Sequence, residues 1–161
     1  MLTALVVSSL ALADSEVGTK RKFGIGAEFG SGTYLNVSGK YWLGEKPGIA
    51  FHAGTSFIYH EVGARFEDTF YEGQWFDWAD MPFYWWAGVD LGLYSYLGYS
   101  APQVGVSGGA AAALQFTGFP GEAFVQAGLG LYPLNYCSGL GGLGAACLVQ
   151  GRGTAGFRYY F

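Results

Sequence analysis

From Phe23 to Phe161 apolar and polar positions alternate along most of the chain. In the last stretch Ala155, Phe157, Tyr159 and Phe161 share one face, and Arg152, Thr154, Gly156, Arg158 and Tyr160 the other. A period of two is that of a β-strand with unlike faces. The same pattern opens the chain after Lys22: Phe23, Ile25, Ala27 and Phe29 lie opposite Gly24, Gly26 and Glu28. A turn at Gly30-Ser31-Gly32 follows. The second strand sets Leu35, Val37, Gly39 and Tyr41 against Tyr34, Asn36, Ser38 and Lys40, and Glu45-Lys46-Pro47-Gly48 ends it as a tight turn. The third sets Ile49, Phe51, Ala53, Thr55 and Phe57 against Ala50, His52, Gly54 and Ser56.

Between Tyr59 and Met81 the pattern is least distinct. It predicts a fourth strand around Val62 to Phe70 with Arg65 and Glu67 inward, then an aromatic connection from Gln74 to Met81. The fifth strand sets Phe83, Trp85, Ala87, Val89, Leu91 and Leu93 outward and Tyr84, Trp86, Gly88, Asp90 and Gly92 inward. A loop is expected over Tyr94 to Pro102. The sixth strand runs Gln103 to Gln115, with Gly108, Ala110 and Ala112 outward. The seventh runs Glu122 to Leu131, with Glu122 inward. A Gly-rich outer loop between Tyr132 and Leu148 leads to the eighth. Eight strands of this length suit the ~9–11 residues that a tilted strand needs to cross a bilayer. An open edge in lipid would leave backbone groups unsatisfied, so the sheet must close. The expected fold is therefore all-β: an eight-stranded antiparallel up-and-down transmembrane β-barrel.

Composition separates this reading from a soluble sandwich. Charged residues make up 12% and aromatics 19%, with 28 Gly in 161 residues. That is about half the usual share of charge. Lipid outside, small side chains inside and aromatic girdles at both interfaces give such a composition. The net charge of -4 excludes the basic footprint of a nucleic-acid binder. Residues 1–13 form an apolar segment ending Ala11-Leu12-Ala13, the pattern of a signal peptide and its cleavage site. Residues 14–21 are then a lead-in and 22–161 the barrel. Bacterial outer-membrane localisation follows from leader and barrel together.

The short segments Phe23-Gly-Ile-Gly26, Gly39-Lys-Tyr-Trp-Leu43, Pro82-Phe-Tyr-Trp85 and Gly156-Phe-Arg-Tyr-Tyr-Phe161 carry a family resemblance. The chain resembles the small eight-stranded outer-membrane barrels of the OmpA/OmpX type, and more closely a poorly characterised set of bacterial barrels of this size. The resemblance implies outer-membrane lipid, lipopolysaccharide and the barrel assembly machinery as partners. Phe157, Tyr159 and Phe161 are similar to the terminal aromatic signal which that machinery reads. No activity is implied, because a fold does not fix a function.

Three constellations could carry chemistry. His52 faces inward, and His60 would too if its strand ran on. Eight residues at ~3.3 Å would set them ~26 Å apart, too far to share a site. The His-x-Ser pair of barrel-type lipid A deacylases is absent, so a lipid-modifying enzyme is the least favoured reading. The inner charges Glu28, Lys40, Asp90, Glu122, Arg152 and Arg158 are read as a lumenal network. Eight strands leave room only for side chains, and buried charges there must be paired. Cys137 and Cys147 flank the last outer loop and read as a disulfide of an exported protein. Gly108, Ala110 and Ala112 make a smooth outward face, a packing surface for a close partner. No cofactor or metal is expected. The leading expectation is a non-enzymatic barrel with a structural or interaction role, one subunit of a larger envelope assembly. A small channel or ligand-binding barrel is the alternative.

Overall fold

A computed structural model describes residues 16–30, 33–135 and 148–161. They form eight strands: β1 (Phe23–Gly30), β2 (Leu35–Trp42), β3 (Pro47–Thr55), β4 (Tyr59–Phe76), β5 (Ala79–Tyr96), β6 (Tyr99–Phe116), β7 (Gly121–Leu134) and β8 (Val149–Tyr160). Each pairs antiparallel with its sequence neighbour, and β1 pairs with β8, so the sheet is a closed barrel. Among these residues no helix is long and apolar enough to cross a membrane.

The register sets the barrel's shape. Partners followed round from Gly24 run through Lys40, Ala50, Arg65, Gly88, Ser107 and Gly130 to Gln150. Gly24 itself pairs with Tyr160, ten residues further along β8. That stagger tilts the strands strongly against the barrel axis and leaves an interior about one layer of side chains wide.

Four expectations need correction. The fourth strand is much longer than Val62–Phe70, and β4, β5 and β6 each run 18 residues. The aromatic stretch from Gln74 to Met81 is strand on both sides of a two-residue turn, Asp77-Trp78. Tyr94 to Pro102 is no loop either. β5 and β6 meet at Leu97 and Gly98, both with positive φ, 48° and 83°, as a primed two-residue turn with the right-handed twist of its strands requires. His60 lies outward, because β3 ends at Thr55 and β4 starts afresh at Tyr59. The leader, 1–13, and both cysteines lie outside the described residues.

At the near end, which carries the chain before β1 and the residues after β8, the lead-in folds back on itself. The Lys20 and Arg21 backbone N–H groups donate to the Glu16 carbonyl. This buries Val17 against Trp42 and Tyr160 and covers the near mouth. Gly18 has φ +80°, and a Cβ there would lie 3.2 Å from the Trp42 ring.

Candidate functional site

Even-numbered positions of β1–β3, β5, β7 and β8 and odd-numbered ones of β4 and β6 turn inward, which gathers most of the strand charges on the barrel axis. They sort into two storeys. The lower holds Glu28, Glu67 and Glu122 against Lys40, Arg65 and Arg158, three charges of each sign, all buried. Arg158 donates to Glu122 Oε1 at 3.1 Å and to Ser38 Oγ at 3.0 Å, with Glu28 at 3.8 Å. Arg65 meets Glu28 at 2.6 Å, and Lys40 meets Glu67 at 2.8 Å. Aromatic faces complete the cage. Lys40 Nζ lies 3.7 Å from the Trp42 ring centre, and the Arg158 guanidinium 4.0 Å from that of Phe124. Balanced charges, each paired with an opposite one, are the condition under which such burial is tolerated.

The upper storey holds Glu61 and Asp90 against Arg152 and His52. His52 Nε2 lies 3.0 Å from Glu61 Oε1 and 3.6 Å from Asp90 Oδ1. Arg152 binds Glu61 closely through both terminal nitrogens and approaches Asp90 at 3.5 Å. Ser107 and Tyr132 donate to Asp90 Oδ2 at 2.6 and 3.0 Å. Above Arg152, at the far end, lies a cavity of about 520 Å³. Tyr34, Phe57, Tyr59 and Tyr94 wall it, with Gln103 and Gln150 across from them. Between the storeys is a void of only about 10 Å³, room for about one water.

The small inner residues of β6 and β7 do not open a lumen. Tyr84, Trp86 and Phe124 pack on Ala111 and Ala113 as a buried apolar cluster. A Cβ on Gly128 would stand 2.8 Å from Trp86 and closer still to the Gly108 carbonyl. Glycine is there so that backbone and indole can approach. The space beside these small inner residues is thus filled by large rings.

The outer face is the reverse of the inner. Ile25, Val37, Val89, Val106 and Leu129 stand exposed around the wall. At the near end aromatic rings contact one another from the β4–β5 hairpin to the end of β8. Phe76, Trp78, Phe116, Phe119 and Tyr159 follow at centroid distances of 5.0, 5.8, 6.3 and 5.4 Å. Phe157 stacks on Phe119, and Phe161 meets Tyr159 edge-on. Gly108, Ala110 and Ala112 pair with Leu129, Ala127 and Val125 on β7 and with Ala87, Trp85 and Phe83 on β5. They form a shallow strip beside exposed Trp85.

The sequence-derived inner set Glu28, Lys40, Asp90, Glu122, Arg152 and Arg158 lies inside, split between the storeys. Its pairing depends on residues outside that set: Glu61, Arg65, Glu67 and His52. Arg65 and Glu67 carried a signal, since they alternate with Ala64 and Phe66. Glu61 was missed because the start of β4 was not recognised. No family model, curated protein or solved structure compared with the chain matches it.

Proposed function

We propose that this chain is an integral β-barrel of the bacterial outer membrane, non-enzymatic, serving as a sealed scaffold within the envelope. The observation that carries the reading is its inverted partition: a closed sheet with apolar side chains exposed all round and ion pairs buried on the axis. Water rewards the opposite arrangement, and lipid this one. The OmpA/OmpX-type resemblance belongs to the same reading. Lipid and lipopolysaccharide contact the belt, the near-end rings sit at one interface, and Phe157, Tyr159 and Phe161 present the assembly signal. The strip around Ala110 receives another envelope protein. The Cys137–Cys147 bond belongs to the same exported protein.

The test is refolding into lipid vesicles. The proposal expects heat-modifiable gel mobility, protection of the strands from protease, and no reproducible conductance steps in planar bilayers. A monodisperse, folded protein in plain buffer would refute membrane residence, and stepwise ion-selective currents would refute the sealed interior. A ligand-binding barrel is the second reading, favoured by the far-end cavity.

A further inference from the structure

We propose that His52, Glu61 and Asp90 bind one first-row divalent cation, with zinc the best match, and that Arg152 is the internal cation this ion displaces. The inference rests on the barrel interior alone and holds whether or not the wall meets lipid.

Geometry comes first. Zinc bonds of about 2.0–2.2 Å to nitrogen and oxygen place neighbouring ligand atoms of a tetrahedron roughly 3.3–3.6 Å apart. The His52–Glu61 and His52–Asp90 separations are 3.0 and 3.6 Å, and the three donor atoms lie within 4.8 Å of one another. The three come from β3, β4 and β5, consecutive strands in a fixed register: Gly54 pairs with Glu61, and Gly63 pairs with both His52 and Asp90. A site on paired strands is held more rigidly than one on loops. One imidazole with two carboxylates suits zinc or manganese better than calcium or magnesium, which prefer oxygen alone.

Charge comes second. The lower storey balances three against three. The upper sets two carboxylates against one guanidinium, leaving one negative charge in excess unless His52 is protonated. An excess charge buried in a low dielectric is costly. A divalent ion between the two carboxylates would neutralise both once Arg152 withdrew. Arg152 already marks the cation position, since its Nη2 reaches the same two oxygens, Glu61 Oε1 and Asp90 Oδ1. It also has somewhere to go. Its side chain lines the 520 Å³ cavity above, and its guanidinium lies 5.9 Å from the Tyr132 ring. The same cavity is the ion's route in.

The ring is also free for the task. His52 is buried, and its Nδ1 has no hydrogen-bond partner among the described residues. No hydrogen bond on that side fixes the tautomer, so Nδ1 can carry the proton and leave the Nε2 lone pair for a metal.

The experiment titrates Zn²⁺ into the folded full-length barrel in detergent by calorimetry. The starting protein carries His60→Ala, Cys137→Ser and Cys147→Ser, which removes the only other imidazole and both thiols. One bound ion per barrel is expected. Loss of an outer-shell partner alone weakens a site about 10–100-fold, so His52→Ala should cost at least that. Arg152→Gln should tighten binding by about tenfold or more, because the competing cation is gone. Should His52→Ala fail to fold, Co²⁺ added to the starting protein serves instead. Visible absorption of the four-coordinate ion and a paramagnetically shifted His52 ring signal would support the site, and their absence would overturn it. No binding to either the starting protein or Arg152→Gln would overturn the proposal. It fails equally if His52→Ala binds as well as its parent, or if Arg152→Gln gains nothing.

Discussion

Arg158→Met is the sharpest probe of the lower storey. Arg158 is fully buried. It donates to Glu122 and Ser38 and faces Glu28. Methionine keeps much of the volume over the Phe124 ring but leaves three carboxylates against two cations. Glu28 retains Arg65 at 2.6 Å. Glu122 retains Tyr160 and Gln115 as neutral donors and Lys40 only at 3.9 Å, so it bears most of the loss. Removing one partner of a buried pair costs about 3–5 kcal/mol. With a urea slope of about 2 kcal/mol/M, the unfolding midpoint should fall by roughly 1.5–2.5 M. The double variant Arg158→Met, Glu122→Gln restores two against two. It should recover to within about 1–2 kcal/mol of the parent, because replacing a whole buried pair is often near neutral. Equilibrium unfolding in detergent, followed by tryptophan emission, measures all four proteins: the parent, Arg158→Met, Glu122→Gln and the double variant. A single variant within about 1 kcal/mol of the parent would refute the argument. So would a double variant as unstable as the two single changes added together.

Four further outcomes are expected. Arg at Val106, which stands exposed in the middle of the wall, should cost about 2–4 kcal/mol in lipid, whereas Arg at the hairpin tip Leu97 should cost almost nothing. Vesicle-refolded midpoints compare them. Gly128→Ala should destabilise by about 1–3 kcal/mol through overpacking, while Gly151→Ala, with nothing within 4 Å of its Cβ, should be silent in thermal gel shifts. Thiol labelling without reductant should leave Cys137 and Cys147 unmodified, and modification of both would disprove the bond. Hydrogen bonds from Arg21 and then Lys20 hold the Glu16 carboxyl below its ordinary range. A lowered folded value means the contribution is present above the usual carboxylate range and lost as pH falls through the lowered one. The Val17 methyl signals should therefore keep their shifts as pH falls through the usual carboxylate range and move only below it.

Alternation made the strands and their inner faces readable, because lipid-like and lumen-like environments impose opposite demands at every step. What misled was punctuation. Pro102 reads as a loop residue, yet β6 has run past its ladder with β7, which ends at Val104 and Leu134. A missing N–H costs nothing on that unpaired side. Pro82 similarly falls where the β5–β6 ladder skips from Asp80 to Phe83. The turn at Asp77-Trp78 has no glycine or proline to announce it. Of the candidate site, inward placement of the charges was legible, but not which charges would meet. Pairing across a barrel depends on the stagger, and only the closed register reveals that Arg152 faces Glu61 rather than Glu28.

That stagger has a consequence for the order of events during folding. Arg158 and its partner Ser38 lie 120 residues apart in the chain, and β1 meets β8 only when the last strand arrives. Neighbouring hairpins can form early, since each needs only a short loop closed. Until the seam joins, however, Glu28 has Arg65 but not Arg158, and Arg158 has Glu122 but not Ser38. A half-wound sheet can thus keep its main ion pairs but leaves the backbone N–H and C=O groups of the β1–β8 ladder unpaired along its open edge. Sliding such a sheet into an apolar phase is penalised, and closing it removes the penalty in a single step. In the proposed membrane setting the β1–β8 seam acts as a completion check: insertion becomes favourable only when the circuit of strands is whole.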